Sequence, residues 1–178
     1  MAYKIIMNIL AELQKYTDYS LGKSKEQMEI KYEDTSLEKL VFTGFDLNNT
    51  EFLEVIFNNC DFTDVYLSGS NLSGSTFEEC ILKRNTFRKG KAEYVTFRQT
   101  VITDLDSFRT SFYGSCFNDL IIENSIMKNC FIARANLTNI VFKNTDLTNT
   151  SFKHSKFSNV RFVDCKLDGV NFEDVEIF

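Results

Sequence analysis

The sequence predicts an all-β solenoid: a coil that turns a corner in every unit of five residues and carries a short N-terminal α-helix as a cap. Three observations lead there. Large apolar residues recur at every fifth position from Tyr32 to Ile177, a ladder of mostly small residues runs two places ahead of them, and the other three places of each unit are mainly polar. A period of five matches neither the 3.6-residue helix nor the two-residue strand, so neither element alone explains it.

The elements follow in chain order. Residues 1–29 lie outside the five-residue phase and form the cap segment, with a helix predicted over about residues 4–17 because Ile6, Leu10, Leu13 and Tyr16 would share one face. Residues 30–178 form the coil. Stepping by five from Tyr32 to Ile177 meets 30 positions, all large and apolar except Ala92 and Ser107, and 14 of the 18 Phe fall on them. Two places earlier stand residues such as Thr50, Val55, Cys60, Ser70 and Ser75; Ile30, Leu40, Phe45, Asn85, Leu105, Leu120 and Ile140 are the larger exceptions. Both ladders are expected to point to the axis. Asn49, Gly69, Gly74, Asn139, Asn149 and Asn159 stand last in their units, where a tight corner favours residues that tolerate a left-handed backbone.

This pattern resembles the pentapeptide-repeat family, whose unit reads roughly Ala-(Asp/Asn)-Leu-x-x with Phe alternating with Leu. Ala135-Asn136-Leu137-Thr138-Asn139, Thr145-Asp146-Leu147-Thr148-Asn149 and Ser70-Asn71-Leu72-Ser73-Gly74 carry the resemblance most plainly. It implies a right-handed quadrilateral β-helix of about seven coils, with residues 20 apart stacked at about 4.8 Å.

Composition excludes several function classes. Hydrophobic residues at 43% are too many for a disordered segment, and no apolar run approaches the roughly 20 residues of a membrane helix. Met1-Ala2-Tyr3-Lys4 resembles the start of a signal peptide, but the apolar run behind it is broken by Asn8 and Glu12, so a cytoplasmic protein with no membrane partner is expected. A net charge of −5 argues against direct nucleic-acid binding. Cys60, Cys80, Cys130 and Cys165 occupy the small inward place and read as reduced core thiols, while Cys116 falls on an outward place. His154 is the one histidine and stands on an outward corner. No metal-ligand spacing, phosphate loop or nucleophile constellation occurs, so no catalytic residue, metal or cofactor is expected and the protein reads as a non-enzyme.

Charge is banded along the coil. An acidic band holds Asp46, Glu51, Glu54, Asp61, Asp64, Glu78 and Glu79 with no base between Lys39 and Lys83. Residues 83–109 are basic, through Lys83, Arg84, Arg88, Lys89, Lys91, Arg98 and Arg109, and the chain turns acidic again after Arg161. The family resemblance implies a protein-binding role. Its best-known form is mimicry of DNA by acidic members that bind type II topoisomerases such as DNA gyrase and protect them from quinolones. A duplex of about 36 Å carries on the order of 20 charges, so the chain as a whole is a poor mimic and only the acidic band approaches that density. The unbroken phase leaves no room for the loops that quinolone-resistance members project. The other expectation is a structural interaction module with no connection to topoisomerases.

Three further expectations follow. Ala92 and Ser107 interrupt the large ladder, and Gly90 and Leu105 disturb the small one nearby, so a bend or bulge is predicted at residues 85–110, with Phe108 turned inward in place of Ser107. No helix follows Ile177, which leaves Phe172, Ile177 and Phe178 as a candidate dimer end; the resemblance implies end-to-end pairing there. Finally, Ile81, Val101, Ile121 and Val141 stand 20 apart on outward places, a candidate protein-contact stripe that Val41 would extend but for Asp61.

Overall fold

The structure is a computed structural model that describes the backbone of residues 2–178 and side chains from Met7 onward. Helix α1 spans Ala2–Ser20, longer at both ends than its sequence pattern predicts. Leu13, Tyr16 and Thr17 are buried and Leu10 half-buried, whereas Ile6 lies outside the described side chains. The helix docks on the first coil through specific polar contacts. The Tyr16 hydroxyl donates to the Asn48 carbonyl, the Asp46 amide donates to Thr17 Oγ1 at 3.1 Å, and the Tyr32 hydroxyl donates to Glu12 Oε2 at 2.6 Å. Gly22, at φ 72°, turns the chain after α1, as a residue without Cβ can.

From Lys31 the chain winds into a four-sided parallel solenoid with a register of 20 residues. One column runs Leu37, Phe57, Phe77, Phe97, Phe117, Leu137, Phe157, Ile177, each residue paired with the next one rung above. The next face carries Phe62, Leu82, Ile102, Ile122, Phe142 and Phe162. These two faces are built of strands, three residues each in the lower coils. In the upper coils, strands Cys116–Glu123, Asn136–Lys143 and Lys156–Val163 run round the corner between them. The other two faces, named here for Phe52 and Leu67, are held largely by single bridges such as Asp46↔Tyr66 and Asn71↔Lys91, with one short strand pair, Lys31–Glu33 on Glu51–Leu53, at the base of the Phe52 face. Between coils each unit exchanges backbone bonds with the coils above and below, as in Phe52 N–H to Asn71 O and Asn71 N–H to Thr50 O.

The core is the large ladder. Rings stack at nearly the interstrand spacing, Phe42 on Phe62 at 4.4 Å and Phe57 on Phe77 at 4.8 Å, and rings on adjacent faces meet edge-on, Phe57 against Phe62 at 5.1 Å. The small ladder is more than filler. Ser75 Oγ donates to the Phe52 carbonyl at 2.8 Å and accepts the Val55 amide at 3.0 Å. Ser115 and Ser155 repeat this pattern in higher coils, each donating one bond to the coil below and accepting one from it. At these corners the backbone turns away from the ladder, and the hydroxyl of the next coil supplies partners that its backbone does not.

All 29 corners from Asp34 to Asp174 have positive φ, and only five of them are Gly. Asn is the common choice, but Arg84, Lys89, Tyr94 and His154 adopt the same backbone, so the geometry extends well beyond the Asn and Gly corners that the sequence singles out. Asn columns repay the strain with side-chain bonds, Asn159 to Asn139 at 3.0 Å and Asn139 to Asp119 at 2.7 Å.

The bend predicted at residues 85–110 does not occur. Inter-coil bonds continue through it, Phe87 N–H to Asp106 O at 2.7 Å and Lys89 N–H to Phe108 O at 2.9 Å. Ser107 is fully buried, and Phe108 points outward and is half-buried. Two neighbours make up the missing volume. The Phe87 ring leans over Gly90, where an added Cβ would come within 2.1 Å of a ring carbon, and Phe112 meets Phe87 edge-on at 6.1 Å. Gly90 therefore makes space for a ring rather than a bulge.

Candidate functional site

The outward residues fall into columns, because every side chain stands above the one 20 residues earlier. The predicted stripe is such a column. Ile81 pairs with Val101 and Ile121 with Val141, and Ile81, Val101 and Ile121 are 40%, 51% and 55% exposed, with Val141 half-buried. Val41 also lies outward but is separated from them by Asp61. A shallow cleft of about 550 Å³ runs beside Val101 and Ile121, bordered by Gln99, Thr103, Asp119 and Glu123. The Lys143–Glu123 ion pair at 2.8 Å closes its upper rim. Apolar centre and polar border together give this face a wider contact area than the column alone.

The acidic band is not brought together on one face. Its seven carboxylates stand around the whole circumference, and several are already engaged. Asp46 is only 9% exposed and, like Asp61, accepts the backbone N–H two residues on, at 3.1 and 2.8 Å. That bond closes the turn and accounts for Asp or Asn at the place before the large residue. Asp64 is held by Arg84 at 2.6 Å, Glu78 by Arg98 at 3.3 Å and Glu51 by Lys31 at 3.8 Å. Glu54 and Glu79, both on corners, form no ion pair among the described residues.

The last coil presents Phe172, Ile177 and Phe178 at 40%, 81% and 74% exposure, with Leu167 beside them. The coil is tied down by charge columns, Lys153 to Glu173 at 2.7 Å and Lys156 to Glu176 at 3.9 Å, with His154 Nδ1 3.3 Å from Asp174 between them. The neighbouring Lys153 holds the Glu173 carboxyl below the usual range. All five cysteines are free. Cys60, Cys80 and Cys130 are buried, and burial pushes the Cys130 thiol up to about 11.

Sequence reading missed an aromatic cluster on the Phe52 face. Tyr113 stacks on Phe131 at 5.9 Å, and Tyr94 meets Tyr113 edge-on at 5.7 Å. Tyr94 lies over Gly114, where a Cβ would come within 2.6 Å of its ring. The three aromatics sit in different places of their units, so no single column of the sequence reveals them. Their signal is diagonal, one coil up and one or two residues back.

A parallel solenoid whose wall is laid in five-residue courses defines a recognisable class of protein. Pentapeptide repeats match this chain in eight copies, over residues 35–74, 60–99 and 135–174, which together make up more than half of it, and the chain belongs to that family. Among solved structures it is similar to full-length QnrB1, a plasmid-mediated fluoroquinolone resistance protein, at 16% identity and a TM-score of 0.46, covering 85% of this chain and 93% of that one. It is also similar to HetL, a pentapeptide repeat protein involved in heterocyst differentiation regulation in a Nostoc cyanobacterium, at 14% identity and a TM-score of 0.36, covering 89% of this chain and 91% of that one. No curated protein matches it by sequence.

Proposed function

We propose that this protein is a non-enzymatic binding module that holds a protein partner against its flat outer faces. The observation that carries this reading is the exposed column Ile81, Val101, Ile121 beside its polar-rimmed cleft, since contiguous apolar surface on a rigid face is the usual mark of a contact site. Replacing Val101 and Ile121 together by Lys tests it. The double variant stays folded, because both side chains face solvent, and loses partner association. Retention of every association of the parent would reduce the column to ordinary stacking within the sheet.

A second reading names the partner as a type II topoisomerase. It rests on the acidic band, where Glu54 and Glu79 on successive coils form no ion pair among the described residues, and on the family resemblance. The neutralised Asp64, Glu78 and Glu51 leave this band well short of the charge density of a duplex. A supercoiling assay with purified gyrase, with and without a quinolone, decides it: neither inhibition nor protection at micromolar protein removes this reading. Self-association through Phe172, Ile177 and Phe178 is the accompanying proposal. Light scattering at tens of micromolar is expected to give a dimer mass that Ile177→Asp with Phe178→Asp reduces to a monomer. A parent that already scatters as a monomer ends it.

A further inference from the structure

We propose that the Leu67 face carries a binding groove for an acidic, extended segment of a partner protein. This inference rests on the protein-binding reading above but uses a different face. The groove encloses about 660 Å³ and is cut where two small residues replace bulk. Two adjacent outward columns line it, Asn48, Ser68, Arg88 and Phe108 in one and Asn49, Gly69, Lys89 and Arg109 in the other, so the four residues of its upper two coils make a cationic wall.

The cationic wall is unlike the rest of the surface. Charges elsewhere commonly meet the opposite sign one coil away, as in Asp64–Arg84, Glu78–Arg98, Glu123–Lys143 and Glu173–Lys153. Lys89 and Arg109, by contrast, occupy successive corners of one column, one rung apart, and neither forms an ion pair among the described residues. Like charges at that spacing repel and destabilise the coil. Arg88 stands beside them and is shared with Asp106 at 3.5 Å. An anion in the groove relieves the repulsion.

Phe108 orders this wall. It is the one apolar residue in its outward column, between Arg88 and Lys128. The guanidinium carbons of Arg88 and Arg109 lie 5.2 and 5.1 Å from the centre of its ring. Contact with the ring restrains both guanidinium groups and strips part of their water, which suits them to bind carboxylates in a fixed plane. The groove runs across the coils of Asn48, Ser68, Arg88 and Phe108, about 14 Å at the interstrand spacing, or about four residues of extended chain. Carboxylates on alternate residues, about 7 Å apart, would reach Lys89 and the arginine pair together, while Asn48 Oδ1 accepts the Ser68 amide at 2.6 Å and is fixed at the lower end of the groove. A long polyanion fits less well, because Asp46, Glu51 and Glu54 share the coil of Asn48 and Asn49 and would repel it.

The test uses fluorescence anisotropy with a labelled peptide of about eight residues that alternates Glu and Thr, roughly twice the span of the groove. The full chain is compared with Lys89→Glu/Arg109→Glu and with Lys83→Glu/Lys91→Glu. Both variants change the net charge equally, and Glu54 and Glu79 already occupy left-handed corners, so glutamate is compatible with the backbone at 89 and 109. The parent is expected to bind the peptide at low salt, the groove variant to bind about tenfold more weakly, and the control variant to match the parent. No binding by the parent, or equal losses in both variants, overturns the proposal. So does tighter binding of an oligothymidine of equal charge that is lost in the groove variant, which would make the groove a phosphate site. Val101→Lys/Ile121→Lys leaves peptide binding intact, so failure here and failure of the apolar-face reading are separately visible.

Discussion

Ser75 illustrates how single residues hold this wall together. Its hydroxyl joins the Phe52 carbonyl in one coil to the Val55 amide in the same coil, from a position one rung above both. Ser75→Ala leaves both backbone groups buried without a partner, and a loss of about 1–3 kcal/mol in denaturant unfolding is expected. An unchanged midpoint would mean that the corner bonds to water instead. Asp146 gives the clearest pH signature. Burial alone would raise its carboxyl, but hydrogen bonds from Thr148 and Lys128 bring it down to about 2. Lys128 Nζ is 3.0 Å away and Lys166 Nζ 3.6 Å. A carboxyl lowered on folding stabilises the fold above its unfolded pKa near 4 and loses that contribution as the pH falls toward 2. Asp146→Asn should therefore cost roughly 1–2 kcal/mol at pH 7 and almost nothing at pH 2; a pH-independent difference contradicts this account.

Helix α1 and the coils are stabilised differently. The helix has no ladder to join, and its hold on the first coil rests on Leu13, Tyr16 and the Thr17–Asp46 bond. Leu13→Ala should cost about 2–4 kcal/mol and raise hydrogen exchange in residues 30–50 first, since they lie beneath the helix. Exchange that rises evenly along the chain would mean that α1 is no local cap. Within the coils each strand is only three residues long in the lower rungs, too short to persist alone. Stability comes from stacking, so the ring columns carry it. Phe142→Ala, which removes a ring packed against Phe152 and Phe162, should cost about 3–5 kcal/mol. A loss below about 1 kcal/mol would mean that the site collapses freely.

In the solenoid, coils bond to the coils directly above and below them, so its stability is a sum over neighbours. The coils from Phe57 to Phe117 have full partners above and below and should exchange slowest, while residues beyond Val160, whose core side chains are progressively exposed, should exchange fastest. Uniform protection from end to end would indicate a single cooperative unit instead.

The period of five residues determined the solenoid, its 20-residue register and its inward ladders, because a repeat that fits no helix or strand can bury its large residues only by turning a corner in each unit. The stripe at Ile81, Val101 and Ile121 was legible for the same reason: a column is a fixed spacing in sequence. Tertiary structure decided what depends on neighbours in space. Gly90 reads as a defect in the ladder, and only the Phe87 ring leaning over it turns the predicted bend into a regular coil. The acidic band reads in sequence as already spread around all four faces, and the structure adds which of its members are neutralised, as Asp64 is by Arg84. Tyr94, Tyr113 and Phe131 meet along diagonals between coils, where side-chain rotamers rather than a fixed residue spacing set the contact.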